Sequence, residues 1–412
     1  MVLVSFAFFD EFASGVPAAA AFAVREGFES DVTALALAVL VAPQVLSLGV
    51  EPLLVLWAGR RHRPTVLAVA LAGMALALCC AALAPDLASF GLAFALYAPA
   101  SGVAVGLAEA SLMAQRSSER ERALTQWMLA GTLGDLAAPL LLWSLAVCGL
   151  GWRAALGGVG LALCCASLAV FRTRIDTPPA VACPGPSLAA NTSPWRPLRA
   201  MASALSAASR SLRAARSHTG LLLWLGAAAS CTFMDEVLAV LVGLRVYRVT
   251  SEEALVAQSL LAFTLGGACG LVLLERRLRR APGAAPLMIA CIGSALCFGG
   301  WVALGSLAPE LFGFGPALLF VAGGFTAAHY PLVLARAYAA LPHDTTLVAA
   351  AAQAFGAIDL AAPLLLGVVA DRFGLEAALG ALLVQPLGIL GALWWSARSA
   401  LHARPSRRTL PP

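Results

Sequence analysis

The sequence predicts an all-α polytopic membrane protein with twelve transmembrane helices in two pseudo-symmetric six-helix bundles. Three observations support this fold class. Hydrophobic residues make up 60% of the 412 residues and charged residues only 12%, whereas soluble domains contain about 25% charged residues. Apolar runs recur along the whole chain, and a segment of the fifth run returns almost unchanged in the eleventh. The composition excludes a water-soluble globule.

The apolar runs have the length of membrane spans, because roughly 20 helical residues cross a hydrocarbon core of about 30 Å. Charged residues, proline and glycine separate the runs. Helices are expected throughout, since a segment in lipid must satisfy its own backbone hydrogen bonds. The first six spans are predicted at 2–24, 32–57, 64–84, 87–114, 122–148 and 152–171, and the second six at 219–244, 254–275, 284–307, 309–336, 345–370 and 375–397.

A stretch rich in arginine and proline separates the two groups of spans. Four regions are predicted: an N-terminal six-helix bundle over 1–171, a cytoplasmic linker over 172–218, a C-terminal six-helix bundle over 219–397 and a cytoplasmic tail over 398–412. The later part of the linker has the pattern of a basic amphipathic helix on the membrane surface. A solvated connector explains this pattern equally well.

The distribution of arginine predicts the orientation of the chain. Arginine clusters follow the second and eighth spans and end the chain, on the same side as the linker, whereas the opposite loops are acidic or poor in arginine. Because cytoplasmic loops are enriched in positive charge, both termini are expected in the cytoplasm and the protein in the inner membrane of the cell. The net charge of +5 is loop charge, so no nucleic-acid partner is expected.

An internal repeat relates the two bundles. The segment Gly134–Leu142 reads GDLAAPLLL and Ile358–Leu366 reads IDLAAPLLL, with eight of nine residues identical at an offset of 224. The pair Asp10–Glu11 of the first span returns as Asp235–Glu236 in the seventh. An even number of spans in each half gives both copies the same topology. Only nine residues precede Asp10, so either the first helix is short or the true start lies upstream of Met1.

Ionisable residues within the spans mark the candidate functional site, because a charge at bilayer depth is costly and normally faces protein or a wet cavity. Adjacent carboxylates on a helix lie about 100° apart, so one of each Asp-Glu pair is expected to face a central cleft and the other a neighbouring helix. Hydrogen bonding between helices and substrate binding alone are the alternatives to coupling. The candidates for proton or cation coupling, or for substrate binding, are Asp10, Glu11, Asp135, Asp235, Glu236 and Asp359.

A second group of residues predicts a cytoplasmic gate. Alignment of the fourth and tenth spans places His329 at the position of Glu109. A carboxylate at the membrane surface for Glu51, and a hydrogen bond to a backbone carbonyl for His329, are the alternative interpretations. The predicted gate comprises Glu51, Arg60, Arg61, Glu109, Arg116, His329 and Arg336, and the predicted aromatic walls of the cavity are Tyr97, Phe233 and Tyr330.

The chain resembles the major facilitator superfamily (MFS) over essentially its whole length. The loop after the second span keeps Gly59, Arg60 and Arg61 of the family signature G-x-L-a-D-r-x-G-R-R, with Leu56 in place of the aspartate, and 370–374 reads ADRFG. The antiporter pattern G-x-x-x-G-P-x-x-G-G is absent from the fifth span. The resemblance implies the MFS fold, with the first, fourth, seventh and tenth helices around a central cavity.

The residues and the resemblance together predict a secondary active transporter, not an enzyme, that works by alternating access. Acids outnumber bases inside the spans, which favours a small organic or cationic solute and proton coupling, and a loose similarity to bacterial drug-efflux members favours efflux slightly. No nucleotide-binding loop and no C-x-x-C metal spacing occur, so no cofactor, metal or catalytic residue is expected.

Three alternatives to this function stay open at the level of sequence. They are a cation-coupled uptake carrier, a non-transporting assembly or receptor protein with the MFS fold, and an intramembrane enzyme that uses the paired acids. The expected partners are a small-molecule substrate, protons or another coupling cation, and the lipid bilayer around a monomer.

Overall fold

A computed structural model describes residues 2–30, 34–35, 37–58, 63–172, 218–251, 253–280, 285–307 and 313–402. These residues are helical apart from short turns and contain no strand. The predicted linker and its amphipathic helix from 173 to 217, the gate residues Arg60 and Arg61, and the tail from 403 onward lie outside the described residues.

Among the described residues, seven helices form the part of the chain that contains the first six predicted spans. A π-helical turn at Leu37–Val41 leads into the third helix. The helices are α1 (Ser5–Ala19), α2 (Ala21–Gly27), α3 (Ala42–Ala58), α4 (Arg63–Leu83), α5 (Leu87–Gln115), α6 (Arg120–Val147) and α7 (Trp152–Arg172).

The second half of the chain has more helices because four of its spans are interrupted. The seventh span contains a 3-10 turn at Ser230–Met234, and the tenth, eleventh and twelfth spans each consist of two helices. The helices are α8 (Thr219–Ala229), α9 (Glu236–Thr250), α10 (Glu253–Leu278), α11 (Ala285–Leu307), α12 (Gly315–Thr326), α13 (His329–Ala340), α14 (Thr345–Phe355), α15 (Ala357–Phe373), α16 (Leu375–Ala381) and α17 (Val384–His402).

Eleven stretches of the described residues are long and apolar enough to cross a membrane. They correspond to the second through twelfth predicted spans. The first predicted span consists of α1 and α2, which meet at Ala20. The predicted fold class, an all-α polytopic membrane protein, is confirmed, and the helices are consistent with twelve spans.

The first of two compact units comprises Met1–His218, Glu275–Arg280 and Tyr338–Leu360. Within it α4 packs on α5 and α7, α1 packs on α6, and α14 packs on α3 and α5. Small residues allow the contact of α1 with α6: a side chain at Gly134 would overlap the backbone of α1, and one at Gly15 would lie 2.9 Å from Ala138. Close approach through small residues is a general way to pack helices in lipid.

The second unit comprises Thr219–Leu274, Ala281–Ala337 and Ala361–Pro412. Its core contains buried residues of α9, α11 and α16, including Leu238, Trp301 and Leu379. The helices α10 and α12 are in backbone contact, because a side chain at Gly266 or Gly270 would overlap main-chain atoms of α12.

A buried arginine ties two helices of the second unit together. Arg245 of α9 is 1% exposed, and its guanidinium donates to the carbonyls of Trp301 at 3.4 Å and Val302 at 2.6 Å near the end of α11. The guanidinium also lies 4.8 Å from the Trp301 ring centroid and 3.0 Å from the Glu376 carboxylate. Arg245 thereby anchors α11 and α16 on α9.

Candidate functional site

In the first unit the Asp10 carboxylate accepts two hydroxyl hydrogen bonds from α5. Tyr97 donates to Asp10 Oδ1 at 3.1 Å, and Ser101 donates to the same oxygen. Tyr97 and Ser101 are one helical turn apart, so both hydroxyls point at α1. The two side chains are 6% and 9% exposed, which places a carboxylate and two neutral donors within the packed helices.

A second carboxylate lies beside this group. The Glu51 side chain of α3 lies directly against Gly102, where any added side chain would overlap the carboxylate. Gly102 directly follows Ser101, the residue that donates to Asp10. We define the acid cluster as Asp10, Glu51, Tyr97 and Ser101, contributed by α1, α3 and α5.

An amide from α14 contacts the stretch of α5 that follows Ser101. Gln353 Nε2 donates to the Gly102 carbonyl at 2.7 Å and lies over Gly106. Neither Gln353 nor Ser101 was predicted from the sequence as a site residue. The available signal was the spacing of Tyr97, Ser101 and Gly102, which puts two hydroxyls and a gap on one stretch of a span.

The two carboxylates of the first Asp-Glu pair face different helices. Asp10 points at α5, whereas Glu11 lies against α6, with its Cγ 3.2 Å from the position that a Gly131 side chain would take. The Asp135 side chain, also on α6, is exposed. The divergence follows from the angle of about 100° between adjacent helical residues.

The second Asp-Glu pair has different surroundings. Asp235 follows the 3-10 turn and precedes α9, and its exposed side chain makes no capping hydrogen bond to that helix. The side chains of Glu236 and Asp359 lie outside the described residues. At the offset of 220 that aligns Glu109 with His329, Tyr97 and Ser101 correspond to Ala317 and Val321, which carry no hydroxyl.

His329 is fully buried in the second unit. Its Nδ1 lies 2.9 Å from Gln385 Nε2, and its Nε2 lies 3.2 Å from Ser294 Oγ. Gln385 Oε1 accepts from the backbone N–H of Met234 at 2.8 Å. His329 therefore contacts α11 and α17 within the described part of the second unit, and Gln385 links it to the backbone N–H of Met234.

The model of the Major Facilitator Superfamily matches residues 1–358. The chain belongs to this superfamily. Because its members are transporters and not enzymes, the protein is a multi-pass membrane transporter. No curated protein matches the sequence significantly.

Solved structures of MFS transporters share the fold of this chain. The proton:xylose symporter XylE is 14% identical, with a TM-score of 0.65 over 96% of this chain and 94% of that chain. The human organic anion transporter MFSD10 is 19% identical, with a TM-score of 0.67 over 95% and 98%. The E. coli fucose:proton symporter FucP is 13% identical, with a TM-score of 0.63 over 96% and 97%.

The MFS transporter has a further buried carboxylate in its first unit. Glu109 is 7% exposed and accepts from the hydroxyl of Tyr338, a fully buried residue, at 2.5 Å. The aligned arginines have unlike contacts: Arg116 donates to Gln126 at 2.6 Å, and Arg336 donates to the carbonyl of Leu332 at 2.7 Å. The predicted gate residues are thus distributed over several separate contacts.

The MFS transporter also contains an ionic network at the start of α6 and the end of α10, both parts of the first unit. Glu275 is 7% exposed and accepts from Arg122 at 2.9 Å, Gln126 at 3.0 Å and Arg279 at 2.9 Å. Glu275 was not predicted as a site residue, because it precedes an arginine-rich loop. The sequence signal that could have indicated Glu275 is its position as a single acid directly before a run of arginines.

The predicted cavity aromatics have different environments. Tyr97 is a hydrogen-bond donor in the acid cluster, Phe233 packs against the core of the second unit, and Tyr330 is half-buried. Among the described residues, no group of three or more histidine, cysteine, aspartate or glutamate side chains is placed to hold a metal ion.

Proposed function

We propose that this MFS protein is a proton-coupled secondary transporter that moves a small organic or cationic solute out of the cytoplasm by alternating access. Asp10 and Glu51 carry the coupling in this proposal. Glu11, Asp135, Asp235, Glu236 and Asp359 are the further acids that contact the solute or the coupling ion. The observation that carries the proposal is the acid cluster.

Charge balance connects the acid cluster to coupling. Ionised carboxylates at bilayer depth are costly unless they are compensated, and the hydroxyls of Tyr97 and Ser101 are neutral donors. A proton or a cationic group that enters the cluster offsets its negative charge. Competition of the two for the same carboxylates gives exchange of solute for protons.

Solved structures with the same fold give secondary support for proton coupling. XylE is described as a proton:xylose symporter and FucP as a fucose:proton symporter. Proton coupling therefore occurs in transporters with the fold of this chain. Efflux is supported by the excess of interior acids over bases and by the loose similarity to drug-efflux members.

Proton flux in proteoliposomes tests the coupling proposal. A pH-sensitive dye inside the vesicles reports protons while cationic and neutral compounds are screened, with Asp10→Asn and Glu51→Gln as test variants. Asp371→Asn, at an exposed acid of α15, is the matched control. We expect substrate-evoked proton flux in the wild type and the control and its loss in both test variants.

Three outcomes contradict parts of the proposal. Solute movement that requires sodium and evokes no proton flux makes the protein a cation-coupled carrier. Solute uptake that follows an inward proton gradient reverses the proposed direction. Absence of any flux with folded protein supports a receptor or assembly role.

We further propose that the chain lies in the inner membrane with both termini and the linker in the cytoplasm. The support is the arginine asymmetry of the loops, because positive charge is retained on the cytoplasmic side. A fluorescent reporter that folds only in the cytoplasm, fused to Pro412, is expected to fluoresce. A fusion of the same reporter after Gly149, between α6 and α7, is expected to be dark.

A further inference from the structure

The seventh span is interrupted next to one of its two acids. The helix α8 ends at Ala229, a 3-10 turn covers Ser230–Met234, and α9 begins at Glu236. Irregular backbone inside a membrane is tolerated only where its polar groups find other partners. The N–H of Met234 finds one in Gln385 Oε1, 2.8 Å away on α17.

The orientation of the Gln385 amide follows from this contact. A backbone N–H can only donate, so Gln385 must present its oxygen to Met234. Its Nε2 then donates to Nδ1 of His329, at 2.9 Å, which requires a lone pair on that nitrogen. His329 is therefore neutral, with its proton on Nε2.

The contact with Ser294 agrees with this tautomer. His329 Nε2 lies 3.2 Å from Ser294 Oγ, and the Ser294 hydroxyl donates to the carbonyl of Cys291 at 3.1 Å. A single assignment of protons therefore satisfies each hydrogen bond in the series that runs from Met234 through Gln385, His329 and Ser294 to Cys291. Met234, Gln385, His329 and Ser294 are all 0% exposed, and a buried polar network is stabilising only when every member has its partner.

We propose that Gln385 and His329 are positioning residues that fix the interruption of the seventh span and thereby hold the Asp235 carboxylate at an accessible surface. Met234 packs in the core while the next side chain, Asp235, is exposed. Gln385 holds the backbone N–H of Met234, one residue before the exposed Asp235. In the first span, by contrast, α1 is continuous through Asp10.

The consequence for transport rests on the proposed function, because it assumes that Asp235 contacts the solute or the coupling ion. The backbone consequence is independent of transport. Local hydrogen exchange therefore tests the positioning role directly, and proton flux tests its effect on the carrier. The two readouts separate failure of this inference from failure of the proposed function.

Two variants of Gln385 differ in whether the side chain can still accept a hydrogen bond from the Met234 N–H. Gln385→Met keeps the approximate volume but removes both amide contacts. Gln385→Glu keeps an acceptor for the Met234 N–H and presents a second oxygen to His329 Nδ1, which must then carry a proton. Gln258→Met, at an exposed position of α10, is the matched control.

The experiment is hydrogen–deuterium exchange of the full-length protein in nanodiscs, followed on peptides that cover 230–236, with nitrogen NMR of labelled histidine. In Gln385→Met we expect roughly tenfold faster exchange at Met234, since its amide loses a buried acceptor. Exchange stays at the wild-type rate in Gln385→Glu and in the control. The His329 signal, assigned with His329→Asn, is expected to show the neutral Nε2–H form in the wild type and a proton on Nδ1 in Gln385→Glu.

Either of two results overturns the positioning role: wild-type exchange at Met234 in folded Gln385→Met, or a proton on Nδ1 of His329 in the wild type. If Gln385→Met does not fold, the NMR comparison of the wild type with Gln385→Glu decides alone. In flux assays, Gln385→Met is expected to lower the maximal rate and Gln385→Glu to restore part of it. Normal flux in Gln385→Met overturns the transport consequence.

Discussion

Tyr97 on α5 donates its hydroxyl to Asp10 on α1 at 3.1 Å, so an acid of the first span is held by a side chain of the fourth. Ser101 reaches the same carboxylate oxygen one turn later. Both hydroxyls stabilise the carboxylate without neutralising it. Asp10 thus keeps the capacity to bind a proton or a cation, which is the property that the proposed coupling uses.

Removal of these donors is expected to weaken both coupling and stability. In Tyr97→Phe and Ser101→Ala, the Asp10 carboxylate loses one donor each, at about 1 kcal/mol per bond. We expect a lower midpoint of thermal unfolding and a smaller proton flux in each variant. Tyr247→Phe, at an exposed tyrosine of α9, is the control, and equal losses in the control would refute a specific role for Tyr97.

Gly102→Ala is expected to abolish coupling through a steric effect. The added methyl group would overlap the Glu51 carboxylate, and overpacking of this kind costs about 1–3 kcal/mol. Gly49→Ala on α3 is the matched control, because nothing lies within 4 Å of the added group. Proton flux in proteoliposomes should be lost in the first variant and kept in the second; flux retained by folded Gly102→Ala would contradict the role assigned to Glu51.

Substitutions of Arg245 and of Glu376 are expected to lower the stability of the protein by unequal amounts. Arg245→Met removes a buried side-chain donor from the carbonyls of Trp301 and Val302, which is expected to cost about 2 kcal/mol or more. Glu376→Gln is expected to cost less than about 1 kcal/mol, because the Glu376 side chain is 56% exposed. Thermal unfolding in detergent measures both, and an equal loss would show that the ion pair matters more than the carbonyl contacts.

The loop between α4 and α5 is expected to give a pH-dependent contribution to stability. Asp86 caps α5 by accepting from the Ser89 backbone N–H at 2.8 Å, and this hydrogen bond lowers the pKa of the Asp86 carboxyl. A lowered folded-state pKa means that the contribution is complete above the unfolded value of about 3.9 and is lost as pH falls through the folded value.

Asp86→Ala is therefore expected to lower the unfolding midpoint at pH 7, with a difference from wild type that narrows toward acid pH. Asp371→Asn serves as a control at an exposed acid of α15. A pH-independent difference between Asp86→Ala and wild type would exclude the carboxylate as its cause.

The sequence could predict the spans because each apolar run carries its own signal. It could not predict the turn at Ser230–Met234, which contains no glycine or proline and depends on Gln385, a residue that is 151 positions away. Likewise, Asp10 and Asp235 look equivalent in the repeat. Only their neighbours differ, since Tyr97 and Ser101 have become Ala317 and Val321.

The acid cluster shows the same limit of local patterns. Glu51 was predicted as a gate residue from its position near the basic loop, and the structure places its carboxylate beside Gly102 on another helix. A contact between α3 and α5 depends on the rotation of both helices. Apolar periodicity does not determine that rotation when a span is hydrophobic on all sides.

The backbone contact of α10 with α12 has a consequence for how this sequence can change over generations. At Gly266, Gly270 and Gly323 only hydrogen fits, since the first carbon of any side chain would overlap main-chain atoms of the other helix. At Gly299 and Gly300 of α11 nothing lies within 4 Å of such a carbon. Descendants of this transporter should therefore retain the first three glycines, whereas the other two can be replaced by alanine or serine.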